Sequence, residues 1–414
     1  MRVHDCREHG LSTYDRGMKR PVLVACLVAL AGSMSSLTAQ ATPSPEPRET
    51  TTLTLGTTLP DTGSLKAYGP ATQAAVQLAV DDANAAGGVL GADVMLVAGD
   101  SGGTGSRTFA RTLSSMPQAQ AIIGPLSSSL VLDNLGAVAG RALISPAAVS
   151  PKLSGVLART VPAEPLAGAM LAALAQRRGA LRLVVVGPRD QRALLDAAMD
   201  RAGDLRLAAV AVSYTKRQSA ANIATRIVRT SADAMVLASG ADTTAILREL
   251  IRRGMPARVF LAPSAAAGVQ PRDLRRGTLD GAQTIGLDVR VPRSLASRLK
   301  QIVPTAPETA YSAQAYDAAA IAILAAEASG RLIGEVTSDG VRAALPSVTS
   351  AGQPCDGLAK CLRLLRRGVD IDYVGYAGPY DLDAAGDPGA ARYLVRTYGS
   401  SNRPGAAARP VNYP

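Results

Sequence analysis

The chain has 414 residues, a formal net charge of +11 and 47% hydrophobic but only 3% aromatic residues, with two Phe and no Trp. Such a charge first suggests nucleic acid, but the arginines are scattered along helical stretches and the aromatic platforms of single-strand binders are missing, so no nucleic-acid partner is expected. Its two histidines, His4 and His9, both precede the segments that can form a core, which excludes a Ser-His-Asp triad and the commonest nitrogen metal ligand from the rest of the chain. No catalytic residue, metal site or cofactor is therefore expected, and the chain is not read as an enzyme.

In chain order, Met18 is followed by Lys19-Arg20, an apolar run from Val22 to Leu30 and Ala39-Gln40-Ala41, the three parts of a secretory signal peptide. Residues 1–17 carry Asp5, Glu8 and Asp15, which suit no export n-region, so translation is expected to start at Met18 and the leader to end at residue 41. A membrane span is disfavoured because the run is short and leads into Gly32, Ser33, Ser35 and Ser36. Leu23-Val24-Ala25-Cys26 has the look of a lipoprotein box, but it lies too near Lys19-Arg20, so a lipid tether is the less favoured alternative. Five basic and three acidic residues precede residue 42, which leaves +9 on the exported chain. About 370 residues remain, enough for two domains with sizeable cores.

Residues 42–50, with three prolines, are expected to be a linker, and 401–414 a disordered tail. Between them, apolar or β-branched runs at Leu53–Thr57, Val94–Val97, Ala121–Ile123, Leu143–Ser145, Leu183–Val186, Ala208–Val212, Ala234–Leu237 and Val259–Leu261 alternate with Ala-rich stretches of helical length. Strands alternating with helices imply parallel sheets covered on both faces. Helices are predicted over Pro70–Asn84, ended by Gly87-Gly88, and over Ala315–Ala328, ended by Gly330. Once the leader is removed, Cys355 and Cys361 are the remaining cysteines, and in an oxidising compartment they read as one local disulfide. The 381–387 segment has some acidic spacing of a calcium loop, but Ala385 and Arg392 stand where ligands are needed, so a turn is expected. In open α/β sheets, ligands bind beyond the carboxyl ends of strands, and Gly124–Ser129 follows one with three consecutive hydroxyls, a place that suits a carboxylate or another polar oxygen.

Several phrases in fixed order carry a resemblance: Leu53–Gly69, Asp81–Gly91, Ile122–Ser129, Leu143–Ala148, Ala315–Ala318 and Gly378–Asp383. Together they resemble the type I periplasmic binding proteins of branched-chain amino acid (Leu/Ile/Val) ABC importers. The resemblance implies an α/β fold of two Rossmann-like lobes joined by three crossover strands, with residues 51–162 and 287–373 in one lobe and 163–286 and 374–400 in the other. It implies a monomeric, extracytoplasmic protein that closes by a hinge on a small-molecule solute and presents the closed shape to a membrane permease. It places the solute against Tyr68, Leu126, Ser127, Ser128, Ala147 and Val149, with Ser128 as the main side-chain hydrogen-bonding group. A purely capping role for the serines stands as the alternative.

The sequence departs from the amino-acid binders at three points. Val149 stands where a threonine is common, the segment 187–192 lacks a Tyr-Gly clamp, and Phe260–Ala266 offers no carboxylate for an ammonium. A leucine-like solute is therefore disfavoured, and an amide, a carboxylate or an aromatic acid touched by Gln191 or Arg189 stays open. The other reading keeps the fold with a degraded cleft and makes the chain an exported sensor or protein-interaction module.

Overall fold

Short runs of Val, Ile, Leu and Ala form strands here because both faces of each sheet are covered, so a strand needs no polar side. The computed structural model describes residues 52–102, 106–215, 217–406 and 410–413. The expected leader and linker lie outside the described residues. All eight predicted runs are strands.

The first sheet is built from β1 (Thr54–Thr57), β2 (Met95–Val97), β3 (Ala121–Ile123), β4 (Ala142–Ser145) and β5 (Ala158–Arg159), all parallel in the order β2-β1-β3-β4-β5. The second begins with β6 (Arg182–Pro188), β7 (Ala208–Tyr214), β8 (Ala234–Leu237), β9 (Arg258–Leu261) and β10 (Gln283–Leu287). A small parallel pair follows, β11 (Gln353–Asp356) with β12 (Ile371–Val374). The chain then returns to the second sheet as β13 (Ala391–Thr397) and β14 (Pro410–Tyr413), both antiparallel, giving the order β14-β13-β10-β9-β8-β6-β7.

Each sheet has its own core. The first is filled from helices Gly69–Ala85 and Ser312–Ile333, the latter buried along most of its length by a run of alanines. The second core packs helices Glu164–Arg177 and Arg192–Asp204 on one sheet face, and Ala220–Arg229 and Thr243–Arg253 on the other. Alanine allows this close approach because it removes bulk without exposing backbone. The chain passes between the sheets three times, after β5, after β10 and before β13. The chain is thus two α/β lobes with a triple crossover. Cys355 and Cys361 form a disulfide that ties β11 to helix Leu358–Arg366.

Three expectations need correction. Helix Ser312–Ile333 continues past Gly330 and ends at Gly334, which adopts the left-handed conformation that stops a helix. Gly330 instead lets Leu90 pack closely, since a Cβ there would lie 2.7 Å from a Leu90 methyl. Residues 375–382 were expected in the second lobe, yet Tyr380 and Leu382 pack in the first core. The fully buried carboxylate of Asp317 holds them there, accepting from the Tyr373 and Tyr380 hydroxyls and the Tyr376 and Ala377 amides. The tail is not disordered in its described part. Asn402 is buried, accepting from the Leu279 amide and donating to the Arg275 carbonyl, and β14 covers the edge of β13 with the Tyr413 ring under the Arg201 guanidinium. A polar composition hid this strand, whose stability comes from pairing and one aromatic anchor.

Candidate functional site

The carboxyl ends of β3 and β4 build one wall of the site. After β3 the chain turns at Gly124, whose positive φ brings its backbone against Thr58; a Cβ there would lie 2.5 Å from the Thr58 carbonyl oxygen. Leu126 is buried and Ser127 and Ser128 are half-buried. Helix Ser128–Leu132 is only five residues long, and Ser127, at its cap position, makes no capping bond: its hydroxyl lies 2.8 Å from that of Ser129. The capping alternative therefore does not account for Ser127. The Ser128 hydroxyl accepts from the Ser150 amide at 3.2 Å, which leaves its own proton free to donate.

That bond joins Ser128 to the 145–150 loop after β4, which carries Ala147 and Val149. The loop is held from beneath. The buried Ser145 hydroxyl donates to the Pro125 carbonyl at 2.6 Å and accepts from the Ala147 and Ala148 amides. Arg159, fully buried, donates from Nη1 to the Ala148 and Ser150 carbonyls, both at 3.0 Å, and its Nε lies 2.6 Å from Asp387. Burial pulls the guanidinium below its ordinary value and Asp387 opposes that shift. Asp387 sits in the predicted turn, where the Asp383 carboxylate accepts from the Ala385 and Asp387 amides. One arginine thus links the site loop to the third crossover. Tyr68 and Ala147 pack on the same apolar cluster as Leu126, and the Tyr68 ring meets that of Tyr311 edge-on at 6.0 Å.

The opposite wall comes from the carboxyl ends of β6, β8 and β9. A cavity of about 350 Å³ is lined there by Gln191, Ser239, Asp242 and Ser264, among others. The Gln191 Oε1 and Ser264 Oγ atoms are shielded from solvent and have no hydrogen-bond partner among the described residues. Behind them the Tyr214 hydroxyl faces the Asp242 carboxylate at 3.3 Å; burial, then Asp242 and Asp190, push that phenol upward. Arg189 and Gln191 form a short 3-10 turn after β6, as a loop at this wall should.

Val149 does not line the Gln191 cavity. It opens onto a separate one of about 210 Å³ where the crossovers meet, lined by Pro162, Glu164, Pro263, Leu287 and Tyr393 among others. The structure therefore gathers Leu126, Ser127, Ser128, Ala147 and Val149 into one wall, with Tyr68 on the same apolar cluster, and places Gln191 on the other wall. Sequence reading missed Arg159, Glu164, Ser264 and Tyr393. The search for a carboxylate covered only the segment after β9, whereas Glu164 follows the crossover after β5 by a few residues.

A family model described as periplasmic binding protein matches residues 52–359. A chemotactic signal transduction system substrate-binding protein of Halobacterium salinarum is 27% identical over 369 residues, covering 83% of this chain and 86% of the relative. Among solved structures, a putative branched-chain amino acid ABC transporter protein from Rhodospirillum rubrum is 23% identical with a TM-score of 0.57, covering 85% of this chain and 99% of its own. An ABC transporter substrate-binding protein from Desulfitobacterium hafniense, in complex with Leu, is 20% identical with a TM-score of 0.53, covering 86% and 99%. These structures share the two-lobed fold. Among the described residues no helix is long and apolar enough to cross a membrane.

Proposed function

This chain belongs to the periplasmic binding protein family, and on that premise we propose that it is the exported solute-binding component of an ABC importer, capturing a small polar or amphipathic solute between its lobes. The observation that carries this reading is the first wall. Ser128 keeps a free proton beside a loop whose Ala147, Ala148 and Ser150 amides and Ala148 and Ser150 carbonyls are already bonded, so a carboxylate or amide oxygen arriving there gains a hydrogen bond without breaking one. The apolar surface of Tyr68, Leu126 and Ala147 beside it fits an amphipathic solute. Export by the leader, delivery to a membrane permease and a monomeric state belong to the same reading.

The test is a thermal-shift screen of the exported chain against amino acids, amides, carboxylates and aromatic acids. A solute at a hundred times its Kd stabilises a binder by about 2.7 kcal/mol. Ser128→Ala is expected to weaken the stabilising solute about tenfold or more, as for loss of a hydrogen bond to a charged group. If no compound shifts the melting temperature, the reading fails.

The Halobacterium relative favours a second reading, in which the same cleft feeds a sensor instead of a permease. Uptake of labelled solute by cells with and without the gene separates them. Loss of uptake supports import, while intact uptake with lost taxis supports sensing.

A further inference from the structure

The positive charge is not shared evenly between the lobes. Residues 163–286 of the second lobe carry 18 basic and ten acidic residues, a net +8 of the +9 on the exported chain. The alternation of helix and strand decides where that charge collects. Each strand from β6 to β9 begins where the preceding helix ends, at the end of the lobe away from the cleft. Helices Glu164–Arg177, Ala220–Arg229 and Thr243–Arg253 all end in arginine, and Arg178 and Arg182 flank the turn before β6. Arg177, Arg178, Arg182, Arg229, Arg252 and Arg253 are exposed. Hydrogen bonds join these segments into one surface. Arg182 donates to the Thr230 carbonyl, next to Arg229, at 3.5 Å, and Arg258 donates to the Arg178 carbonyl at 2.9 Å and to Asp233 at 2.7 Å. Arg253 donates to the Thr225 hydroxyl at 3.4 Å, which ties the last two helices together. The acidic groups among them are already engaged: Asp233 also accepts from the Leu181 and Arg182 amides, and Glu249 pairs with Arg252 and Arg253. Arg177, Arg178 and Arg229 form no ion pair among the described residues.

Apolar side chains stand among these charges. Leu181, between Arg178 and Arg182, is 80% exposed, and Val228 and Ile251 are exposed in the last turns of the same helices that carry Arg229, Arg252 and Arg253. Arginines interleaved with exposed aliphatic side chains match a partner that is anionic at its face and apolar just beneath. Nucleic acid fits less well, because no exposed aromatic ring accompanies these arginines for bases to stack on. We propose that this end of the second lobe is a docking surface for an anionic lipid bilayer, its arginines meeting headgroup phosphates and Leu181 entering the interface. The cleft lies at the opposite ends of the same strands, so a chain held in this way keeps its cleft toward solvent beside the membrane of the proposed permease. The inference goes beyond the solute reading and depends only on the proposed export, which brings the chain to such a surface. A helix C-terminus favours a basic residue in any case, and the test below separates that structural role from docking.

Co-sedimentation of the full exported chain, without solute, compares vesicles of phosphatidylcholine with vesicles containing about one-third phosphatidylglycerol. Wild type is expected to bind the anionic vesicles about tenfold or more tightly, and to lose most of that preference at about 0.5 M salt. Arg177→Glu, Arg178→Glu and Arg229→Glu combined should lower the affinity about a hundredfold or more, from about fivefold for each arginine near the surface. A charge-matched triple on exposed positions of the first lobe, Arg293→Glu, Lys300→Glu and Arg363→Glu, should change it less than about threefold. Leu181→Ser should lower it by about threefold to tenfold, and serves as the second variant if the second-lobe triple folds poorly. The proposal is overturned if wild type does not distinguish the two vesicles, or if both triples weaken binding equally, which makes total charge the cause. It is also overturned if the second-lobe triple loses thermal stability yet binds vesicles as wild type does, since the arginines then only cap helices. Duplex DNA binding as tightly as the anionic vesicles, with Leu181→Ser leaving vesicle binding unchanged, overturns it in favour of a soluble polyanion. Because no solute is used, each of these failures leaves the cleft reading standing, and a failed solute screen leaves the docking surface standing.

Discussion

The two walls of the cleft are built on different principles. On the first, the 145–150 loop is bonded through Ser145, Ser128 and Arg159 before any solute is present. On the second, Gln191 and Ser264 keep shielded polar atoms without hydrogen-bond partners among the described residues. Arg159 Nη2 and Thr58 Oγ1 behind the first wall also have no hydrogen-bond partner among the described residues, so the contrast between the walls lies in the backbone bonds that hold the 145–150 loop. The first wall offers a template, and the second gains most from what the solute brings.

The largest effect should come from breaking the first wall. Arg159→Met leaves Asp387 unpaired and two carbonyls without a donor, and is expected to cost about 3–5 kcal/mol, read by urea denaturation. Ser145→Ala removes three bonds around the same loop and should cost about 1–3 kcal/mol in the same assay. Ser264→Ala on the second wall should leave the solute-free stability within about 0.5 kcal/mol, because no protein bond is lost. Equal costs on both walls would break the comparison.

Much of the fold was legible in the residues. Buried parallel strands such as Leu183–Val186 are short, continuous β-branched or apolar runs that alternate with longer Ala-rich helical stretches, and that alternation is visible in the residues. What escaped was set by pairing between distant segments. β14 is a polar tail until β13 offers it an edge, and residues 375–382 look like a passage to the second lobe until the buried Asp317 carboxylate collects their donors. In the candidate site, the cluster of hydroxyls after a strand around Ser128 was visible in the residues. Arg159 and Glu164 were not, because an arginine and a glutamate near a strand end look like surface residues until the crossover folds them inward. The absence of a carboxylate after β9 was read correctly from the residues.

The most direct test of the two-wall account is amide hydrogen exchange on the exported chain, with and without the solute that gives the largest shift in the thermal screen. Amides of Ala147, Ala148 and Ser150 should be protected without solute and change little on adding it, whereas segments 189–192 and 262–266 should gain protection only with it. Rapid exchange at 147–150 in the solute-free protein, or equal gains on both walls, would contradict the account.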